Sequence, residues 1–258
     1  MHQRKTGKIK RAVAVLMVLA TVFSLYACAK GGSLFDGYSE TERAILNSGF
    51  SAHFIDVGEG DSSVIKFPDG KVLMIDAGMD GEKPYGKIKA VLDGLSVKNI
   101  DYLVLSHPDS EHVGNADRLL SDYSVGTVYM PKILEENREC FPEFSAVYGE
   151  KGTFSVDNPK LYKHVSGENW FFAFLSPKDE DYAALNIGSG VDEKAKDDVS
   201  PVIYLEYAGV RFLISSDATA TVEQRIVTDY SVVKTMFDRL GFTVDLEDIE
   251  FYKVAAHG

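Results

Sequence analysis

The chain has 258 residues, 45% hydrophobic and 26% charged, which excludes wholesale disorder and provides enough length to bury a core in one large domain or two small ones. The formal net charge of −12 is uneven: five of the 27 basic residues precede Ala12 and no acidic residue occurs before Asp36, so the remaining 22 basic and 39 acidic residues leave −17 on the body of the chain. A body this acidic repels polyanions at long range and works against tight non-specific nucleic-acid binding, unless a local basic groove or a divalent cation offsets the repulsion.

Arg4, Lys5, Lys8, Lys10 and Arg11 precede an apolar run from Ala12 to Ala27 that ends in small residues before Cys28. The run is shorter than the roughly 20 residues of a spanning helix and reads as an export signal. Leu25-Tyr26-Ala27-Cys28 resembles the lipobox of bacterial lipoproteins. The resemblance implies a signal peptide over 1–27, lipid on Cys28, a Gly/Ser/Glu-rich tether over 28–48, and an extracytoplasmic domain over 49–258 held to the cell membrane. An uncleaved signal anchor would leave the domain on the same side. With Cys28 lipidated, Cys140 has no partner within the chain, so neither a disulfide framework nor a multi-cysteine zinc cluster is expected. Cys140 itself reads as a buried or half-buried thiol.

Short strands are expected over Ala52–Val57, Ser63–Phe67 and Val72–Asp76, with Pro68-Asp69-Gly70 as the turn between the last two. Ile88, Val91, Leu92 and Leu95 recur at helical spacing within Tyr85–Leu95. Asp101–Ser106 is a continuous apolar run of the kind buried on both faces. A helix over Asn115–Leu120 and a strand over Thr127–Met130 follow. Further strands are expected over Asn169–Leu175, Pro201–Tyr207 and Val210–Ser215, then an amphipathic helix over Ala220–Leu240 and a strand over Ile249–Ala255. Hairpins mixed with helices imply two sheets covered by helices, an α+β class.

The chemistry concentrates in His107-Pro108-Asp109-Ser110-Glu111-His112, directly after a buried strand. In an extended loop, residues two apart point the same way, so His107 and Asp109 serve one cation and Glu111 and His112 reach another. Imidazole with carboxylate suits Zn, Mn or Fe. The segment also reads as a polar turn capping the next helix, since Asp and Glu favour a helix N-terminus. From the residues alone both readings stand. His53 and His164 read as ordinary strand or loop residues.

The segment resembles the metallo-β-lactamase superfamily, in particular the ComEC/Rec2-like extracellular hydrolase domains, whose motif after a strand is His-x-His-x-Asp-His. The other landmarks are Phe54-Ile55-Asp56-Val57-Gly58-Glu59-Gly60-Asp61, Leu73-Met74-Ile75-Asp76-Ala77-Gly78, Ser216-Asp217 and Ala256-His257-Gly258, all in the family order. The resemblance covers about 52–258 and implies a four-layer αββα sandwich. It implies one or two divalent ions, Zn or Mn, held by His107, Asp109, Glu111, His112, Asp217 and His257. Glu111 is also expected to be catalytic, and Asp56, Asp61 and Asp76 are expected to hold the ligands through hydrogen bonds. Gly58 and Gly60 are expected to let backbone approach the site closely.

Four positions depart from the family pattern, Glu59 standing where a glutamine is expected. Asp109 stands where a histidine is usual, Glu111 replaces an aspartate, and Ala256 replaces the first histidine of the closing pair. Asp198 lies near where some relatives place another ligand, and reads as a loop carboxylate. Relatives continue past the last His-Gly with a further strand and helix, so the resemblance implies a sandwich without its C-terminal elements and a loosely fixed His257. It further implies hydrolysis of phosphodiester bonds, in DNA or a cell-wall polymer. The alternative is a binding lipoprotein whose catalytic site has eroded. Nothing in the sequence points to a protein partner.

Overall fold

The computed structural model describes residues 49–149, 154–185 and 193–255. The expected signal peptide, Cys28 and tether lie outside the described residues, as do Ala256 and His257. The elements run β1 (Ser51–Phe54), β2 (Ser63–Lys66), β3 (Val72–Ile75), α1 (Glu82–Gly94), β4 (Asn99–Val104), α2 (Ser110–Val113), α3 (Ala116–Asp122), β5 (Ser124–Tyr129), α4 (Ser145–Gly149), β6 (Ser155–Asp157), β7 (His164–Gly167), β8 (Trp170–Phe174), α5 (Asp179–Leu185), α6 (Glu193–Asp198), β9 (Val202–Tyr207), β10 (Val210–Ser215), α7 (Ala220–Leu240) and β11 (Phe251–Lys253), with 3-10 turns at Glu135–Cys140 and Pro142–Phe144.

One sheet has the order β1-β2-β3-β4-β5-β6 and the other β11-β10-β9-β8-β7. In the first, β1, β2 and β3 pair antiparallel, and β3 through β6 run parallel. In the second, only the β10–β11 pairing is parallel.

Period-two alternation sorts the side chains into layers. On β3, Leu73 and Ile75 face the second sheet while Val72 and Met74 face the helices. On β8, Trp170, Phe172 and Phe174 meet that same middle layer, whereas Phe171 and Ala173 face α7. Ile88, Val91 and Leu92 of α1 and Leu119 of α3 cover the first sheet. Val222, Ile226, Val233 and Phe237 of α7 cover the second. Helix, sheet, sheet and helix thus stack as the αββα sandwich. Among the described residues no helix is long and apolar enough to cross a membrane.

Helix α7 spans the expected residues because both ends are specified. The Thr219 hydroxyl accepts from the Val222 N–H at the start, and Gly241 takes a left-handed φ of 87° at the end. Helix α1 starts three residues earlier than its apolar stripe suggests, with Pro84 in its first turn, where no N–H is needed. The short elements β6, β7, α5 and α6 carry no periodicity long enough to read from sequence; β6 exists because its backbone pairs with β5. Cys140, expected buried or half-buried, is exposed, because it ends a surface 3-10 turn in which no residue is buried.

Between the sheets, the Trp170 ring stacks on Phe67 at 3.8 Å between centroids, and its indole N–H donates to Asp69 Oδ2 at 2.9 Å. Trp170→Ala should destabilise the domain by about 3–5 kcal/mol, read as a fall in the urea midpoint at unchanged slope.

Candidate metal centre

The site forms where strand ends from both sheets meet. The parallel register pairs Ile75 with Val104, so the residues following β3 and β4 emerge side by side. Asp76 takes a left-handed φ of 59°, unusual for a non-glycine residue. Its N–H donates to Val104 O at 2.8 Å, and its side chain is wholly buried. Such a carboxylate needs donors, and it has them. Asp76 Oδ1 accepts from the Ser106 N–H at 2.8 Å. Oδ2 lies 2.9 Å from Ser106 Oγ, 2.8 Å from Ser216 Oγ and 3.0 Å from His112 Nδ1.

This network sets the imidazoles by proton counting. His112 Nδ1–H donates to Asp76. Ser106 gives its single hydroxyl proton to Asp76, so its oxygen accepts from His107 Nδ1–H at 3.0 Å. Both rings therefore turn Nε2 inward, with centroids 4.1 Å apart. Asp217, two residues beyond β10, places Oδ1 3.5 Å from His112 Nε2 and Oδ2 4.0 Å from His107 Nε2.

The two rings titrate in opposite directions. Burial, aided by the neighbouring charge on His112, lowers His107 to about 4. Burial also pulls on His112, but the Asp76 charge and the hydrogen bonds to Asp217 and Asp76 outweigh it and raise His112 to about 10. Asp76 is held below the usual carboxylate range: burial pushes it up, and the His112 charge and hydrogen bond more than offset that push. Without a metal, His112 carries the proton between Asp76 and Asp217.

These donors fit a divalent cation. Ligand atoms of His107, His112 and Asp217 lie within 4.8 Å of one another, as do those of Asp61, Asp76 and His112, and those of His107, Asp109 and Asp197. His107 Nε2 is buried and, among the described residues, has no hydrogen-bond partner, the condition of a nitrogen prepared for an ion. Two imidazoles with a carboxylate match the hard-to-borderline character of Zn or Mn.

The expected ligands divide. His107, His112 and Asp217 converge, and Asp109 lies to one side, its Oδ2 3.7 Å from His107 Nε2. Glu111 joins none of the three groups. From Ser110 the segment is helix α2, not extended loop, and successive helical side chains diverge by about 100°. Of the supporting carboxylates, Asp76 sits at the centre. Asp61 lies beside it and pairs with Lys253 at 2.5 Å. Asp56 lies apart: it is exposed, caps its own turn through the Gly58 N–H at 3.2 Å and pairs with Lys87 at 3.0 Å. Asp198 is occupied elsewhere, accepting from the Thr219 hydroxyl at 2.5 Å at the start of α7.

Close approach holds at Gly60 and not at Gly58. A Cβ on Gly60 would meet Glu111 O at 1.8 Å, where the Asp61 N–H also donates; one on Gly58 would meet nothing. Several contributors escape sequence reasoning: Ser106, Ser216, Asp197, Lys196 and Lys253. So does buried Asn115, whose Nδ2 donates to Ala77 O and Met79 O at 2.9 and 2.6 Å and braces the loop after Asp76. Among these, only Ser216 falls within a recognisable motif, directly before Asp217.

The titrations have a measurable consequence in chelator-treated protein. His112, raised, contributes stability present below about pH 6.5 and lost as pH rises through about 10. His107, lowered, contributes stability present above about 6.5 and lost as pH falls toward about 4. Denaturation midpoints across pH should peak near 6.5, and Asp76→Asn should flatten the alkaline arm and lower the His112 titration seen by imidazole NMR.

Residues 55–250 match the family described as Metallo-beta-lactamase superfamily. Over 211 residues the chain is 24% identical to ComE operon protein 3 of Bacillus subtilis (strain 168), an alignment covering 76% of this chain and 26% of that protein, so the chain spans about a quarter of that relative's length. Among solved structures, the metallo-beta-lactamase GOB-18 from Elizabethkingia meningoseptica aligns at 18% identity and TM-score 0.46, covering 82% of this chain and 78% of that one. Zn(2+)-bound PqqB from Methylobacterium extorquens aligns at 14% and 0.40, covering 64% and 56%. The chain belongs to the metallo-beta-lactamase superfamily.

Proposed function

We propose that this protein is a metal-dependent hydrolase of phosphodiester bonds, working outside the cytoplasmic membrane on a lipid anchor at Cys28. The observation that carries the reading is the buried convergence of His107, His112 and Asp217 around inward-facing Nε2 atoms. A divalent ion held by these residues, Zn or Mn, supplies Lewis acidity toward a phosphoryl oxygen and lowers the pKa of water. His107, His112 and Asp217 bind. Asp76, through Ser106 and directly, fixes both rings in the tautomer that offers Nε2. Asp217 also takes part in holding the His112 proton when no ion is present. His257 is the proposed further imidazole.

The phosphodiester class rests on the ComEC-like resemblance and on the matching likeness to the Bacillus subtilis protein. Within that class, a net −17 over the body of the chain favours a small ester over DNA, because long-range repulsion grows with the polyanion's length.

Purified protein should contain bound divalent metal by elemental analysis and hydrolyse bis(p-nitrophenyl) phosphate. Chelation should remove the activity, and Zn or Mn should restore it. His112→Ala should lose the metal, and Asp76→Asn should weaken its binding by about 10–100-fold. Affinity should rise with pH up to about 10, since the ion displaces the His112 proton. A protein without metal or hydrolysis would instead be the binding lipoprotein with an eroded site. Anchoring has its own test: in cells, Cys28→Ala should move the protein from the detergent-extracted membrane fraction to the soluble one.

A further inference from the structure

A second cluster adjoins the first and shares His107 with it. His107, Asp109 and Asp197 bring ligand atoms within 4.8 Å of one another, the arrangement a second ion would need. A cationic side chain already reaches one member of that group. The Lys196 ammonium forms an ion pair with Asp109 Oδ1, and the two side chains are only 14% and 27% exposed. Lys196 precedes Asp197 on α6. The same helix is fixed at its end by Asp198, which pairs with Lys194 and accepts from the Thr219 hydroxyl at the start of α7. Thr219 is two residues from Asp217, so the lysine and the ligand carboxylate are held by one connected piece of structure. On the opposite flank, Lys253 pairs with Asp61 at 2.5 Å in the same way.

We propose that the centre takes one divalent ion, at His107, His112 and Asp217, and that the Lys196 ammonium stands in the position of a second. The proposal rests on the reading of the site as a metal centre. An ammonium and a divalent cation on one carboxylate repel strongly where little water intervenes, and the tethered one is always present. Asp109 is therefore neutralised by Lys196 through Oδ1, which weakens its hold on a second ion. Lys196 acts as a positioning residue: it fixes a positive charge beside the ion's place without exchanging with solvent, where it favours an anionic group in the cleft.

Cobalt titration of the chelator-treated full chain reads the ion count without reference to activity, through d–d absorption with native mass spectrometry as the check. The wild type should saturate at one Co2+ per chain. Lys196→Gln should saturate at two, and Lys196→Arg, which keeps the charge, at one. A wild-type end point of two overturns the one-ion centre while leaving the metal-hydrolase reading intact. An end point of one in both wild type and folded Lys196→Gln overturns the role of Lys196. No bound cobalt in the wild type overturns this proposal together with the metal-centre reading on which it stands. The wild-type end point decides the count whatever the stability of the variants.

Discussion

The Asp76 carboxylate, wholly buried, is the constraint on which the rest of the site depends. An isolated carboxylate in such a place would take up a proton rather than keep its charge. Asp76 keeps it because one backbone N–H, two hydroxyls and one imidazole converge on its oxygens. Those donors come from three separate stretches: Ser106 after β4, His112 on α2, and Ser216 after β10. Satisfying one buried charge therefore draws the ends of both sheets together. The left-handed backbone at Asp76 is the local strain accepted to aim its side chain into that convergence.

From this anchor, the protonation of each imidazole follows without any appeal to the ion. One acceptor, reached directly by His112 and through a serine by His107, decides which nitrogen of each ring is left to face Asp217. The same anchor makes proton and metal competitors at His112, since the Asp76 charge that attracts one attracts the other. His107 differs because burial and the neighbouring charge on His112 outweigh the Asp76 charge, which it meets only through the Ser106 hydroxyl. A single buried charge thus yields two histidines of opposite titration, one neutral and one charged.

Around that centre the backbone is packed closely enough to leave little choice of residue. Gly60 lies against the Glu111 carbonyl, and a Cβ on Gly114 would meet the Asp80 nitrogen at 2.1 Å. These two contacts press the β1–β2 loop and the loop after β3 onto α2 and its C-terminal end. His112 reaches the interior because α2 is clamped from both sides. Charge is arranged with the same economy. Carboxylates on either flank of the histidines face lysines from distant segments, Lys196 on α6 and Lys253 on β11, which keeps an acidic chain from concentrating unpaired charge at its own centre.

The sequence by itself determined the layers and the location of the chemistry. Continuous apolar runs such as Val72–Ile75 mark buried strands, the capped stripe of Ala220–Leu240 carries its own periodicity, and the family landmarks place the ligand segment after β4. It also marked His107, His112, Asp76 and Asp217, because each stands in a recognisable motif at a strand end. Only the tertiary structure decided which carboxylates meet the imidazoles. Asp56 and Asp61 look alike in one glycine-rich turn, yet one pairs with Lys87 at the surface and the other lies beside Asp76. Glu111 and His112 are neighbours in sequence, yet only His112 joins the groups of converging ligand atoms. Lys196 and Asp109, 87 residues distant along the chain, carry no local signal of their pairing. Local pattern encodes the direction in which a side chain leaves its own strand or helix; what it meets there depends on how separate elements dock, and that is fixed by the packed core and the one buried charge that joins them.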